Sequence, residues 1–314
     1  MDEEKLLIRI AEMYYQEDKN QSQIAKELNI HRTTISRLLK RSREEGVVQI
    51  TINYDKSTSY SLEQTLEQRF GLTKAVVIPV APELSRQQKE HFLGKAASDY
   101  FLEYIKDGMK VGFSWGHALA AMVEEMGSRE LKNVLCLPMI GGPSGKLASE
   151  YHVNTIAYAA SKKLGCSALL IDSPAITETT ELRTALMMNS FNQELSKLWQ
   201  ELEVAVFGIG SPSLSANDVW QGFYGKEVIK DLETKGIAGD VLSRFFDTAG
   251  KSVKSSLDDR IIGLTMEQLK KVPQRIGIAE SKEKVGSIHA ALLGGILTTL
   301  VTTEETAKEI LLLD

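Results

Sequence analysis

The twelve residues from Arg32 to Arg43 carry five bases and no acid, in a 314-residue chain whose formal net charge is -5. Within that run Arg32, Thr33, Thr34, Ser36 and Arg37 combine guanidinium groups with short hydroxyls, the donors that reach base edges in a DNA groove. Lys40, Arg41 and Arg43 continue the run with cations suited to phosphates. Ile35, Leu38 and Leu39 recur between them at helical spacing, so one face is apolar and the other purely cationic. A solvated helix face normally mixes signs, and this one does not until Glu44 and Glu45.

Small-residue turns make a second set of chemically useful positions. Gly112, Ser114, Trp115 and Gly116 form one cluster, Gly141, Gly142, Pro143, Ser144 and Gly145 another, and Gly208, Gly210 and Ser211 a third. Each follows a strand-like apolar run. Free backbone amides at a helix start, together with the helix dipole, suit a phosphate or carboxylate. Charged candidates for the same pocket are Lys146, Asp240, Arg244, Asp247 and Lys284, with His152 at a helix start.

The cationic face needs a short helix held against two others. Leu6, Leu7, Ile10, Ala11, Met13 and Tyr14 predict a helix from about 3 to 17, and Ile24, Ala25 and Leu28 a second from Gln21. Asn29 breaks the pattern, and a third helix then runs from Arg32 to about Glu45, ended by Gly46. This is a helix-turn-helix, with the third helix placed to enter the major groove. Gln21 and Gln23 open the helix before it and add amide donors to the same surface. "VVQITINY" (47–54) alternates as a strand and predicts a wing beside the helix.

The polar connector "DKSTSYS" follows, and Leu62, Leu66 and Phe70 then mark a linker helix, giving domains at 1–54, 55–73 and 74–314. From Lys74 onward strand-like runs alternate with helical stretches: "AVVIPV", helix 86–106, "KVGFSW", helix 116–126, "NVLCLPMIGG", helix 149–164, "SALLIDSPA", helices to about 199, "VAVFGIGSP", "QRIGIAE" and "TTLVT". That alternation predicts an α/β domain with a doubly wound, mostly parallel sheet. Ligands of such sheets sit at the carboxyl ends of the strands, near a switch in strand order.

Bulk composition bounds the reading. The acidic balance confines any polyanion site to a local patch. Cys136 and Cys166 each lie in an apolar stretch and read as buried small hydrophobes in a reducing compartment; no metal site and no cofactor are expected. The N-terminus is acidic and amphipathic, and no apolar run approaches the roughly 18 residues of a membrane span. A cytoplasmic protein is expected.

The segments "RIAEMYYQEDKNQSQIAKELNIHRTTISRLLKRSREEGVVQITINYD", "GFSWG", "IGGPSGKLASEYHVNTIAY", "FGIGSP", "FYG", "AGDVLSRFFD" and "ESKEKVGSIHAALLGG", in this order, resemble the SorC family of sugar-responsive bacterial transcription regulators. The resemblance covers nearly the whole chain. It implies a winged helix-turn-helix and an effector domain similar to sugar-phosphate isomerases, assembled as a homotetramer built from dimers. It also implies control of a carbohydrate operon of the sorbitol or sorbose kind by a sugar or sugar phosphate, with no catalysis. By motif, the phosphate-binding turn falls on Ser114, Trp115 and Gly116, the facing glycines on Gly141 and Gly142, the helix-start polar position on His152, the acidic position on Asp240 and the pocket lysine on Lys284.

Two departures qualify this carry-over. Ile140 stands where several relatives have a basic residue, which removes imine capture there and leaves Lys146 as the substitute cation. Glu280 and Ser281 stand where relatives often have glycines, which favours a sugar or sugar monophosphate over a bulkier bisphosphate. The alternative function is a sugar-phosphate isomerase or deaminase with an appended DNA-binding domain. It would need a positioned acid and base, and the sequence offers no compact Asp/Glu/His cluster for that task.

Overall fold

The computed structural model describes residues 3–48, 56–81, 83–145, 147–211 and 224–313. The chain divides into two compact units, Met1–Asp55 and Lys56–Asp314.

The first unit contains α1 (Glu3–Tyr15), α2 (Gln21–Leu28) and α3 (Arg32–Glu44). Asn20 caps α2 through a capping box: its side chain accepts from the amides of Ser22 and Gln23, while Gln23 Oε1 accepts from the Asn20 amide at 2.9 Å. Asn29 ends α2 in the left-handed region at φ 53°, which suits its short amide side chain and makes the tight turn into α3. Leu7, Ile10, Met13, Ile24, Ile35, Leu38 and Leu39 meet in one small core. The wing expected at 47–54 falls mostly outside the described residues.

The second unit begins with α4 (Lys56–Phe70), which covers most of the stretch expected as a linker and packs on β1 and the last helix of this unit. A seven-stranded sheet runs β1 (Lys74–Ile78), β9 (Thr299–Thr303), β8 (Gln274–Ile278), β5 (Val204–Gly208), β2 (Lys110–Phe113), β3 (Leu135–Pro138) and β4 (Ser167–Ala168), with every ladder parallel. Side chains alternate between two cores. Val204 and Val206 of β5 point into one with α5 (Arg86–Tyr104), α6 (His117–Glu124) and α7 (Val153–Leu164), while Ala205 and Phe207 point into the other. That second core includes residues of α4, α9 (Ser190–Trp199), α10 (Lys226–Thr234), α11 (Met266–Lys271), α12 (Val285–Leu293) and α13 (Glu304–Leu312). Helices on both faces explain why the strands read as continuous apolar runs. Among the described residues, α8 (Thr180–Met187) is a further α-helix of this unit.

Three local departures from the sequence expectations have physical causes. "SALLIDSPA" gives a strand of only two residues, because the Asn154 side chain, at 2.9 Å in both bonds, takes the amide and carbonyl of Ile171 that a longer ladder would have used. The helix expected over 149–164 is divided into a 3-10 turn, Ser149–Tyr151, and α7, with His152 as an extended residue capping α7. A hairpin not foreseen pairs β6 (Ile237–Val241) with β7 (Arg244–Asp247) through Leu242 and Ser243, at φ 56° and 58°. Two non-glycine residues in the left-handed region cost about 1–2 kcal/mol each. The Ser243 amide donates to Asp240 Oδ2 at 3.2 Å, so the strained turn and the Asp240 carboxylate hold each other.

Candidate functional site

In the first unit, α3 turns Ile35, Leu38, Leu39 and Ser42 inward and leaves Arg32, Thr33, Ser36, Arg37, Lys40 and Arg43 exposed. Thr34 and Arg41 are half-buried. The positive field is not uniform along the helix. Lys40 pairs with Glu44 at 3.5 Å and Arg41 with Glu45, each one turn on, whereas among the described residues Arg32, Arg37 and Arg43 are in no ion pair. Charge available to an anionic partner therefore lies at the start of α3, where the helix dipole is also positive, and again at Arg43 in its last turn. Gln21 and Gln23 lie at the start of α2, and the carbonyl oxygen of Gln23 is occupied by the capping box.

In the second unit the strand order reverses between β2 and β5: β3 and β4 extend the sheet to one side of β2, and β5, β8 and β9 to the other. The crevice at such a switch point is where open α/β sheets bind ligands. Here it receives Ser114, Trp115 and Gly116 after β2, Gly210 and Ser211 after β5, and Glu280 and Ser281 after β8. Gly116 caps α6 at φ 116°, and a Cβ there would meet nothing within 4 Å. The Cβ side of Gly116, at the start of α6, thus opens onto free space. Lys284 sits at the N-cap of α12, a second helix start, and Ser211 Oγ ties the β5 loop to it by donating to the Glu283 carbonyl at 2.9 Å.

Asp240 approaches from the hairpin. It bridges Gly210 (Gly210 amide to Asp240 carbonyl, 2.9 Å), and a side chain at 210 would overlap its carboxylate. Burial raises the Asp240 carboxyl to about 6, opposed by the Ser243 amide and the Lys284 ammonium. Burial likewise pushes Glu280 up and Lys284 down, while Glu280 and Asp240 pull Lys284 back toward its charged form. Arg86 at the start of α5, paired with Glu90 at 2.8 Å, also feels Glu280 and Tyr151. Asp240 and Glu280 thus favour the charged form of Lys284 while, among the described residues, neither is in an ion pair with it, an arrangement suited to a polar ligand.

On the other wall, Gly142 lies against His152: a Cβ on Gly142 would sit 2.6 Å from His152 Nε2. His152 Nδ1 accepts from the Asn154 amide at 3.1 Å, which puts the proton of the neutral ring on Nε2. Burial lowers the pKa of His152 and favours that neutral form. Next to it Tyr151 stacks on His117 with ring centroids 3.8 Å apart, and its carbonyl accepts from the Gly116 amide at 3.2 Å. Gly141 packs so tightly on the Pro174 backbone that any side chain there would displace it.

Comparison with known proteins decides the lineage. Residues 54–312 match the family described as "Putative sugar-binding domain", and residues 2–50 match the homeodomain-like domain. The sorbitol operon regulator of Klebsiella pneumoniae is 41% identical over 311 residues, covering 99% of this chain and 98% of that protein. The crystal structure of that full-length regulator, SorC, superposes with a TM-score of 0.82 over 99% of each chain. The chain belongs to the SorC family. The deoxyribonucleoside regulator of Bacillus subtilis (strain 168) is 31% identical over 98% of both chains. A transcriptional regulator from Streptococcus pneumoniae TIGR4 is similar in structure, with a TM-score of 0.77 at 29% identity over 81% of this chain and 97% of its own.

Against the SorC-family expectation, Ser114, Trp115, Gly116, Gly141, Gly142, His152, Gly210, Ser211, Asp240 and Lys284 all lie in the loops and helix starts that follow the strand ends or in the hairpin bridged to them. Lys146 falls outside the described residues. The sequence offered no compact Asp/Glu/His cluster; in the structure Asp240 and Glu280, distant in sequence, each act on the charge of Lys284. It also missed Arg86, His117 and Tyr151. The signal for His117 was its position directly after "GFSWG", at the first residue of α6.

Arg244, a charged candidate from the sequence, is turned elsewhere. Its buried guanidinium pairs with Asp258 at 3.0 Å and borders a separate cavity of about 490 Å³ that also involves Thr180, Arg183 and Glu267. None of the site residues carried over within the SorC family lines that cavity.

Proposed function

We propose that this SorC-family regulator reads operator DNA of a sugar-utilisation operon with α3 and takes its signal from a sugar or sugar monophosphate held at the β2/β5 switch point. The observation that carries the reading is the pairing of two helix starts, Gly116 of α6 and Lys284 of α12, with two desolvated carboxylates, Asp240 and Glu280. Amides and an ammonium suit a phosphate. Carboxylates beside them suit sugar hydroxyls, since a buried acceptor left without a donor costs about 1–3 kcal/mol. Lys146 is proposed as a further cation, in place of a basic residue at Ile140. A sorbitol- or sorbose-type effector is favoured by the 41% identity to the sorbitol operon regulator.

The ligand acts by linkage. If it binds two arrangements of the protein with a difference of about 1–3 kcal/mol, operator occupancy changes roughly 5- to 150-fold. We propose a homotetramer, a dimer of dimers, whose paired α3 helices meet paired half-sites. A thermal-shift panel of hexitols, ketoses and their monophosphates tests the pocket, because a ligand at 100 times its Kd stabilises by about 2.7 kcal/mol. The expected winner also changes the affinity for promoter fragments; if no carbohydrate shifts the melting temperature, the proposal fails. Asp240, with its raised pKa, is also the type of group a proton-transfer enzyme uses, so the same panel is assayed for turnover, and conversion would favour catalysis over sensing.

A further inference from the structure

Two cysteines separated by 30 residues come together at the foot of the β3–β4 pair. Cys136 Sγ and Cys166 Sγ lie 3.8 Å apart. Cys136 is the second residue of β3, held by ladders to β2 and fully buried in the core beneath α5, α6 and α7. Cys166 follows the left-handed Gly165 (φ 62°) that ends α7, and its amide donates back to the Ser161 carbonyl at 3.0 Å. Unlike Cys136, it is only half-buried. Cys136 is wholly enclosed, whereas Cys166 packs on the edge of the same core, partly exposed, with its sulfur beside that of the first.

We propose that Cys136 and Cys166 form a reversible intrachain disulfide when the protein meets a hydroperoxide. Closure needs the sulfurs to move from 3.8 Å to a bond of about 2.05 Å, within reach of side-chain rotation. The two thiols are also unlike in acidity. Their mutual hydrogen bond holds Cys166 below the usual thiol range, while that bond and burial push Cys136 up. Cys166 is therefore the attacking group.

Its thiolate attacks the peroxide: an S–O bond forms, the O–O bond breaks, and the alcohol or water leaves with a proton. Cys166 is oxidised by two electrons to the sulfenic acid. Cys136 then attacks that sulfur, the S–S bond forms, the S–O bond breaks and water departs. A reducing dithiol reverses the reaction by exchange. The closed loop contains Gly141, Gly142 and His152, so oxidation clamps the base of one pocket wall.

Intact mass spectrometry of the full chain after brief exposure to hydrogen peroxide should show loss of two hydrogen atoms, reversed by dithiothreitol, with the peptides containing Cys136 and Cys166 linked. Cys136→Ala should instead gain oxygen at Cys166, and Cys166→Ala should stay at its starting mass over the same interval. The native chain should form the link about tenfold faster or more than the urea-unfolded chain. Unchanged mass, linkage between chains on a non-reducing gel, or equal rates in native and unfolded protein would each overturn the proposal. The wild-type measurements decide it even if a variant fails to fold.

Discussion

The two functional surfaces of this regulator solve opposite electrostatic problems. On α3, charge is exposed, one-signed until Glu44, and drawn from one helix, with Arg32, Arg37 and Arg43 all exposed. In the pocket, charge is partly desolvated, of both signs, and drawn from the β6–β7 hairpin, the loop after β8 and the start of α12. Exposed cations supply salt-dependent affinity at little folding cost. Buried mixed charges cost stability in the empty state and return it when a ligand completes their hydrogen bonds. Disturbing the pocket should therefore change folding and ligand affinity together, whereas disturbing α3 should change DNA affinity alone.

The largest expected effect separates the two. Lys284→Met removes the ammonium that favours the charged forms of both Asp240 and Glu280. Effector affinity measured by calorimetry should fall by about tenfold or more, as expected when a charge-assisted hydrogen bond of about 1.5–3 kcal/mol is lost. Operator affinity of the effector-free protein should stay within about twofold. If both affinities fell together, the contrast between the surfaces would be wrong.

Arg37→Ala makes the reverse separation. Loss of a base or phosphate contact should weaken operator binding by about 1–3 kcal/mol, and a phosphate contact would also flatten the salt dependence by about 0.9 in slope. Effector affinity should not move. Arg41→Ala should do less, because Arg41 already spends its charge on Glu45.

What could be read in advance follows the same division. Helix α3 and its charged face were visible because all their determinants lie within one helix, and the Ile35, Leu38 and Leu39 spacing fixes which residues face outward. The glycine turns after β2, β3 and β5 were visible because strands betray their own ends. The charge network was not, since Asp240 reaches the site only through a strained two-residue turn and Arg86 only because α5 starts beside β8's exit. The Cys136–Cys166 contact was equally hidden, because it depends on the ladder that sets β4 against β3. The short β4 shows a side chain, Asn154, overriding a strand-like run.

Asp240→Asn tests the stability cost of the pocket. The native carboxyl, raised to about 6, binds a proton more tightly than it does in the unfolded chain. The folded state therefore loses stability as pH rises from about 4 to 6, and the loss is complete above that window. Removing the ionisable group should stabilise the effector-free protein at pH 7.5 by on the order of 2 kcal/mol and flatten that part of the stability–pH curve, while weakening effector binding. Denaturant melts at pH 4.5 and 7.5 check the sign. A destabilised variant with an unchanged pH slope would show that Asp240 serves the hairpin and not the ligand.

The smallest predicted effect runs against intuition and bears most directly on α3. Glu44 lies one turn beyond Lys40, and their exposed side chains approach to 3.5 Å. An exposed pair of this kind contributes little to folding, yet it withdraws one cation from the face proposed to meet DNA and would add an anion near the phosphates. Glu44→Gln should leave the melting temperature almost unchanged and tighten operator binding by about twofold at low salt, with a steeper salt slope. Lys40→Ala in that background should then weaken binding by more than it does in the wild type. If Glu44→Gln weakened binding instead, the acid would be orienting Lys40 toward a phosphate, and the pair would belong to the DNA contact.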